Sequence, residues 1–221
     1  AYPEPSGDLM VFHAGSLAIP FKEIATAFKA EYPKVTVLCE AAGSRECARK
    51  ITDLNRACDV MASADYAVID SLLIPEHADW NIKFVTNEMV IAYTTASTGR
   101  ATLSSGNWHE VLLRSDIRYG RSEPNADPCG YRTLLTLKLA EQFYNLPGLA
   151  ESFAKKDNRY MRPKETDLLA LLETHTIDYI FIYRSVALQH GLQWLALPDE
   201  INLKRPELAA HYATVSVELS G

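Results

Sequence analysis

The stretch LMVFHAGSLAIPF, from Leu9 to Phe21, decides the fold of this chain. Four apolar residues typical of a buried strand lead into the turn Ala14-Gly15-Ser16, after which the pattern becomes helical. The same order returns in VTVLCEAAGSRECARKI, from Val35 to Ile51, and CDVMAS, from Cys58 to Ser63, supplies a third strand. Strands that alternate with helices pair in parallel through right-handed crossovers. The sequence therefore predicts an α/β fold.

A second α/β pattern follows the polar segment STGRATLSSGN, Ser97 to Asn107, which is a candidate boundary between lobes. Before it, FVTNEMVIAYT, Phe84 to Thr94, is β-rich and predicts a connection that leaves the first sheet. The elements predicted after it are a strand at Ile117 to Arg121, helices from Pro128 to about Tyr144 and around Leu168 to Leu172, and strands at Ile177 to Tyr183, Leu192 to Leu197 and Ala213 to Leu219.

Length and composition exclude several classes of protein. The 221 residues suffice for one large domain or two small lobes, and 48% hydrophobic with 23% charged residues is ordinary for a globular chain. No apolar stretch approaches the roughly 20 residues that span a bilayer. The net charge of -6 argues against nucleic acid or an anionic membrane as partner. Any bound anion must therefore be held by local groups.

The four cysteines give little guidance. None belongs to a C-x-x-C pair, and no two histidines have metal-ligand spacing, so a zinc site is weakly supported. An even count permits disulfides, but buried free thiols fit equally well.

Three helix starts carry the chemical signal. Ser16 and Ser44 each follow a strand and a glycine, and Asp127 with Pro128 opens a third helix, which predicts all three of Ser16, Ser44 and Asp127 at N-cap positions. Each start would point backbone N–H groups and the positive end of a helix dipole at the carboxyl edge of a sheet. Together they predict an anion site without a lysine or arginine clamp, although each turn could also simply cap its own helix.

Several ordered motifs resemble the archaeal-type molybdate and tungstate binding proteins of ABC transporters, and the resemblance runs from about Leu9 to Gly221. The motifs are HAGSL, the second AGS turn, ACDVMASADY, TNEMVIAYT, DPCGYR and YRSVALQHG. The resemblance implies a type II periplasmic-binding fold, two α/β lobes with a hinge and a ligand cleft between them. Residues 1–86 with 213–221 would form lobe I, part of whose C-terminal portion is missing, and 87–212 would form lobe II.

The resemblance also implies a set of ligand-binding residues. Ser16 and Ser44 match serines whose hydroxyl and backbone N–H groups hold the oxyanion. Cys129 matches a position that donates its backbone N–H, and Tyr183 matches a tyrosine whose hydroxyl closes the site. Asp127 matches an aspartate whose carboxylate contacts Mo or W directly. A carboxylate beside a dianion makes sense only if its lone pair enters the coordination sphere of the metal; otherwise Asp127 is a plain N-cap.

Two features depart from that pattern. Ile182 stands where the resembled family has a glutamate as second carboxylate ligand, so we expect a four- or five-coordinate oxyanion. The family continues beyond the last predicted strand and returns into the first lobe, whereas this chain ends at Gly221. Either the C-terminal part has been removed, or this member has a reduced first lobe. We expect the hinge and the lobe to be less stable, because a sheet edge and its covering helices would be missing.

The implied function is that of a solute-binding protein that captures molybdate or tungstate and delivers it to an ABC transporter permease. We expect a monomer in the periplasm or at the cell surface, exported by a signal peptide absent from this chain, without catalysis, cofactor or nucleic acid. One alternative is a binding protein for sulfate, phosphate or an organic acid, and another is a cytoplasmic sensor. A hydrolase using Ser16 or Cys129 lacks both a G-x-S-x-G elbow and an evident base.

Four residues near these motifs invite a functional role. His13 beside the first turn is interpreted as a packed strand-end histidine, and Arg45 as a solvated side chain. Glu40 and Glu88 would be unfavourable beside a dianion, so we expect them at the surface or the hinge.

Overall fold

The computed structural model describes residues 3–156 and 159–220. They form two compact units, each with its own β-sheet. Unit 1 is Ala1–Phe84 with Ala126–Pro128, and unit 2 is Val85–Asn125 with Cys129–Gly221. Helices and strands alternate in both, which confirms the predicted α/β class.

Unit 1 contains a parallel sheet with the strand order β2-β1-β3. Its strands are β1 (Gly7–Ala14), β2 (Val35–Ala42) and β3 (Val60–Ala62), and its helices are α1 (Ala18–Glu31), α2 (Ser44–Thr52) and α3 (Tyr66–Leu72). A 3-10 turn at Gly15–Leu17 precedes α1. The predicted order of strand, helix, strand, helix, strand is confirmed.

The core of unit 1 is small and lies at the carboxyl end of β1. The first residues of β1 are exposed, whereas its last four are buried. Phe12 packs with Ala42 and Cys47, while Ala48 packs with Val68 and Leu73 of the following elements. Several large apolar side chains stay on the surface, namely Ile24, Leu54, Trp80, Ile82 and Phe84. The best-packed part of unit 1 is therefore the end of the strand that leads into Ser16.

Unit 2 contains a mixed five-stranded sheet with the order β6-β5-β7-β4-β8. The strands are β4 (Met89–Tyr93), β5 (Tyr119–Ser122), β6 (Met161–Arg162), β7 (Tyr179–Tyr183) and β8 (Gln193–Ala196). Strands β6, β5 and β7 run parallel, and β4 is antiparallel to both of its neighbours. The helices are α4 (Trp108–Leu113), α5 (Pro128–Phe143), α6 (Leu149–Lys156), α7 (Asp167–Glu173), α8 (Arg184–Gln189) and α9 (Ala209–Tyr212), with 3-10 turns at Arg100–Thr102 and Pro206–Leu208.

The prediction of a strand from Ala213 to Leu219 is wrong. Residues 213 and 214 form a turn that continues from α9, in which the Ala213 N–H donates to the Ala209 carbonyl, and residues 215–219 have no regular structure. Alternation of apolar and polar residues suits a strand, but a strand forms only where a neighbouring edge offers its backbone groups.

Strand β7 is the centre of unit 2, and all five of its residues are buried. Because side chains alternate along a strand, Phe181 and Tyr183 share one face and Ile182 lies on the other. The Phe181 ring packs against three aromatic rings, and the four rings form one cluster. Neighbouring ring centroids in this cluster lie 5.3 to 6.2 Å apart. The partners of Phe181 are Trp108, Tyr119 and Phe153. This cluster holds the strand that ends at Tyr183.

The first turn of α5 packs directly on the backbone that follows β5. A Cβ atom at Gly130 would lie 2.5 Å from the Ser122 carbonyl oxygen and 2.8 Å from the Pro124 nitrogen. Only glycine permits this approach, because the obstructing atoms are backbone and cannot rotate away.

We expect Gly130→Ala to lower the free energy of unfolding by about 1 to 3 kcal/mol, because overpacking against backbone forces a shift of the helix. The free energy of unfolding is measured by urea denaturation, with circular dichroism as the signal. The control is Gly106→Ala, where the nearest atom to the added Cβ is the Ser104 hydroxyl oxygen at 3.9 Å. Equal stability of both variants would contradict the close packing of α5 on β5.

An ion-pair cluster joins β2 to α2 and the segment after it. The Glu40 carboxylate accepts from Lys50 Nζ at 2.9 Å and from both terminal nitrogens of Arg56 at 2.7 and 2.6 Å. Hydrogen bonds from Arg56, and then from Lys50, lower the pKa of Glu40 from its ordinary 4.5 to about 2. Glu40 is thus a partly exposed structural residue, as expected of a surface position.

We expect Glu40→Gln to be less stable than wild type at pH 7, and the difference to vanish on acidification. Because the folded pKa is depressed, the stabilisation is present above about pH 4.5 and is lost as the pH falls towards about 2. Thermal unfolding of both proteins across this window is the measurement. As a control, Glu4→Gln breaks an exposed pair with Lys34 and should change little. A stability difference that persists unchanged down to pH 2 would contradict the assignment.

Candidate anion-binding site

Neither serine is the N-cap of its helix: Ser44 lies one position after the N-cap of α2, and Ser16 lies two positions after the N-cap of the 3-10 turn. Ser44 is the first residue of α2, and Gly43, in an extended conformation, is its N-cap. Ser16 lies within the 3-10 turn, whose N-cap is Ala14. The prediction that both serines are N-caps is therefore wrong. The glycine at 43 takes the cap conformation, so the serine hydroxyl is not used to cap the helix.

The Ser44 hydroxyl has a defined orientation. Ser44 is fully buried, and its Oγ accepts a hydrogen bond of 2.9 Å from the backbone N–H of Ala64, which follows β3. A hydroxyl carries one hydrogen and two lone pairs. Because a lone pair receives the Ala64 N–H, the hydrogen of the Ser44 hydroxyl points away from that group. Ser16 is buried as well.

The first turn of α2 binds a carbonyl group of unit 1. The backbone N–H groups of Arg45 and Glu46 donate to the Ala126 oxygen at 3.0 and 3.3 Å. The prediction that this turn presents free N–H groups is therefore wrong for these two donors. The next residue, Asp127, is fully buried. Asp127 therefore directly follows the residue whose carbonyl is hydrogen-bonded to the first turn of α2, the turn that contains Ser44.

His13 is a packed residue at the end of β1, as interpreted from the sequence. It is buried, its Nδ1–H donates to the Ala14 carbonyl at 2.8 Å, and its ring stacks on Phe21 with centroids 5.5 Å apart. The ring therefore supports the turn that holds Ser16.

In unit 2, Cys129 and Tyr183 are tied together through β7. Cys129 is fully buried at the second position of α5, and its thiol makes a long contact of 3.8 Å with the Phe181 carbonyl oxygen. Tyr183 is 3% exposed, and its hydroxyl oxygen accepts from Arg132 Nη1 at 2.9 Å. The first turn of α5 is thus connected to two alternate residues of β7.

Ile182 is fully buried and pairs with Val90 in the antiparallel β4–β7 ladder. Its side chain is hydrocarbon and lies on the face of β7 opposite Tyr183. It supplies no ligand atom.

Glu88 was expected either at the surface or at the hinge, and the structure shows that it is not a surface residue. Its carboxylate is 90% buried, lies 2.7 Å from Arg184 Nη1 and 3.7 Å from Lys204 Nζ, and precedes β4 directly. The backbone N–H of Arg184 also donates to the Glu88 carbonyl. This ion pair joins the beginning of unit 2 to α8.

The sequence analysis missed further polar residues of unit 2, among them Arg132, Ser122 and Glu165. Arg132 is half-buried and lies inside the DPCGYR motif, where its spacing of three from Cys129 could have identified it. Ser122 and Glu165 are fully buried, yet neither belongs to a recognised motif. Ser122 Oγ makes no hydrogen bond to any residue that the structure describes.

The remaining candidate chemistry is sparse. All four cysteines are free thiols, and burial raises the pKa of Cys47 to about 12, which keeps it an unreactive neutral thiol near pH 7. Within residues 3–156 and 159–220, no three His, Cys, Asp or Glu side chains converge as metal ligands. In the same ranges no helix is both long and apolar enough to cross a membrane.

Solved structures define the class of fold. The periplasmic molybdate-binding protein of Azotobacter vinelandii superposes with a TM-score of 0.70 at 16% identity, covering 88% of this chain and 81% of that one. The sulfate-binding protein SubI of Mycobacterium tuberculosis gives 0.68 at 14% identity, covering 94% and 79%. The chain is thus an α/β protein with the type II fold of periplasmic binding proteins, as predicted.

Sequence comparison then gives the family. The profile of the bacterial extracellular solute-binding proteins matches residues 9–216, and the chain belongs to this family. A solute-binding protein of Petrotoga mobilis is 53% identical over 219 residues, which is 98% of this chain and 68% of that protein. The molybdate/tungstate-binding protein WtpA of Pyrococcus abyssi is 40% identical over 244 residues, covering 98% and 71%.

We expect Ser122→Ala to raise the free energy of unfolding by about 1 kcal/mol, because an unsatisfied buried hydroxyl costs roughly 1 to 3 kcal/mol. Urea denaturation is the measurement. The control is Thr136→Val, which removes a buried hydroxyl that donates to the Ile201 carbonyl at 3.0 Å and should lower stability instead. A loss of stability in Ser122→Ala would show that this hydroxyl has a partner.

Proposed function

We propose that this solute-binding protein captures molybdate or tungstate outside the cytoplasm and delivers the oxyanion to the permease of an ABC transporter. It acts as a monomer and catalyses no reaction. The Pyrococcus abyssi relative, and a Thermococcus kodakarensis relative of the same name at 41% identity, are molybdate/tungstate-binding proteins, and this supports the choice of ligand.

The observation that carries the proposal is the orientation of the Ser44 hydroxyl. A fully deprotonated oxyanion offers only acceptors, so its site requires donors. The Ala64 N–H occupies a lone pair of Ser44 Oγ, so the hydrogen of this buried hydroxyl points elsewhere and can be donated to a further group. Such a donor in the second anion turn is suited to an oxyanion oxygen.

The proposed ligand-binding residues are Ser16, Ser44 and Asp127 of unit 1, and Cys129 and Tyr183 of unit 2. The serine and tyrosine hydroxyls and the Cys129 backbone N–H donate to oxyanion oxygens. Asp127 is fully buried and contributes a carboxylate oxygen to the coordination sphere of Mo or W. Ile182 adds no ligand, so the metal is four- or five-coordinate.

Selectivity follows from this inventory of donors. Phosphate at neutral pH carries a proton, and a site made of donors leaves that proton without an acceptor. Sulfur in sulfate cannot accept a carboxylate oxygen as a further ligand, whereas Mo and W can. Asp127 therefore favours the larger oxyanions over sulfate.

A hydrolytic function has less support. Cys129 is fully buried and its thiol faces the Phe181 carbonyl oxygen, so a substrate cannot reach it as a nucleophile. The structural neighbours at 14 to 16% identity bear on the fold alone.

We expect the double variant Ser16→Ala/Ser44→Ala to bind molybdate more weakly by roughly 1 to 3 kcal/mol per serine, because each loses a charge-assisted donor. Isothermal titration calorimetry with sodium molybdate measures the change. Ser71→Ala is the control, since this exposed serine on α3 lies outside both turns and its hydroxyl donates to the Ala67 carbonyl. Wild-type affinity in the double variant would refute the assignment of the two turns.

A further inference from the structure

We infer that Asn125 is a positioning residue: it holds the turn that leads into Asp127, and thereby places the Asp127 carboxylate for contact with Mo or W. The inference rests on the proposed function, in which Asp127 supplies a carboxylate oxygen to the metal. It goes beyond that proposal because it assigns a role to a residue outside the proposed ligand set.

The turn before Asp127 has few free dihedral angles. Residues 124–126 form a turn between β5 and α5, and the chain passes from unit 2 to unit 1 between Asn125 and Ala126. A proline fixes its own φ at about -65° and also restricts the residue before it. Pro124 and Pro128 flank the two central residues in this way. The dihedral angles of Asn125 and Ala126 are therefore the ones that other contacts must fix.

Ala126 is held through its backbone. Its carbonyl oxygen accepts hydrogen bonds from the N–H groups of Arg45 and Glu46 at 3.0 and 3.3 Å, and all three residues belong to unit 1. The peptide group is planar, so two donors on its oxygen fix the plane that joins Ala126 to Asp127. The remaining freedom of the turn lies at the residue before Ala126.

Asn125 is held through its side chain. Its Nδ2 donates to Glu123 Oε1 at 3.0 Å, and its Oδ1 accepts from the backbone N–H of Ser220 at 2.7 Å. All three residues belong to unit 2. The partners define which way the amide is turned, because an ionised carboxylate only accepts and a backbone N–H only donates. An amide side chain can serve both partners at once, whereas alanine serves neither.

The segment that leads to Ser220 is packed along α5. The Thr214 hydroxyl donates to Gln142 Oε1 at 3.1 Å, and Lys138 Nζ donates to the Ser216 carbonyl. Gln142 lies in the last turn of α5 and Lys138 one turn before it, so the segment follows the helix back towards its start. The N–H group of Ser220 is therefore anchored by the helix.

The chemistry proposed for Asp127 requires an accurate position. A carboxylate that joins the coordination sphere of a metal needs a defined distance and direction, and neighbouring residues behind the ligand set them. Asp127 is fully buried and follows Asn125 by two residues, so a shift of the turn is passed on to its carboxylate. Ser16 and Ser44 lie in other turns. Loss of Asn125 should therefore remove only the part of the affinity that Asp127 provides.

The test is a double-mutant cycle on the binding of sodium molybdate, measured by calorimetry on the full chain. The proteins are wild type, Asn125→Ala, Asp127→Asn and the double variant. Asn125→Ala should weaken binding about 10- to 100-fold, the usual effect of removing a residue that orients a metal ligand. In the Asp127→Asn background the same substitution should cost no more than about threefold, because the carboxylate that Asn125 positions is already gone.

An exchange within the pair of Asn125 and Glu123 separates positioning from charge. Asn125→Asp places two carboxylates side by side, so the contact breaks and binding should weaken. Adding Glu123→Gln returns an amide donor to the pair and restores the wild-type net charge, so the affinity should recover to within about threefold of wild type. These variants decide the question alone should Asn125→Ala fold poorly, or should Asp127→Asn bind too weakly for the cycle.

The matched control is Asn81→Ala. The Asn81 amide also donates to a carboxylate, Asp70 Oδ1 at 2.5 Å, but this pair lies in unit 1 and outside the turn. We expect wild-type affinity for molybdate. Thermal unfolding without ligand checks that each variant is folded.

Four results would overturn the inference. They are wild-type affinity in Asn125→Ala, the same loss in both backgrounds of the cycle, wild-type affinity in Asp127→Asn, and no recovery when Glu123→Gln is added to Asn125→Asp. If wild type itself binds no molybdate, the proposed function fails, and the inference fails with it. Tight binding by wild type together with an absent coupling would refute the inference alone.

Discussion

Hydroxyl groups whose oxygen already accepts a hydrogen bond from the protein are the constraint on which this account depends. The Ala64 N–H does this to Ser44, and the Arg132 guanidinium does it to Tyr183. In each contact the hydroxyl hydrogen points away from the donor that the oxygen has accepted, and in Ser44 it can be donated to a further acceptor. An oxyanion without protons has acceptors alone, so such a site is complementary to it and mismatched to a ligand that must donate. Because the hydroxyls are oriented before the ligand arrives, less conformational entropy is lost on binding.

The packing of both units serves to hold these groups at the ends of strands. In unit 1 the buried half of β1 leads into the 3-10 turn of Ser16, and the Ala126 carbonyl fixes the first turn of α2. In unit 2 an aromatic cluster surrounds Phe181, and Gly130 allows α5 to approach the backbone after β5. Strand ends are where parallel sheets bring helix N-termini and polar side chains together, which explains why the candidate residues lie there.

Much of this could be predicted from sequence, and the failures have physical causes. Periodicity and glycine turns located the three strands of unit 1 and its helices α1 and α2, because local pattern determines them, whereas helix α3 was not predicted. Position 44 was misjudged by one residue, since Gly43 adopts the cap conformation that serine normally prefers. The docking of Ala126 on α2 and the bond from Arg132 to Tyr183 depend on tertiary contacts between distant segments, which no local pattern encodes. The strand predicted at 213–219 failed for the same reason, because a strand requires a partner edge.

The most direct test of the central claim is a parallel calorimetric titration of the wild-type chain with molybdate, tungstate, sulfate and phosphate. A site of oriented donors with a carboxylate beside the metal predicts one-to-one binding of molybdate and tungstate. The expected Kd is sub-micromolar, which corresponds to a binding free energy of about -8 kcal/mol or better. Sulfate and phosphate should bind far more weakly. Tight binding of phosphate, or of sulfate in preference to molybdate, would contradict it.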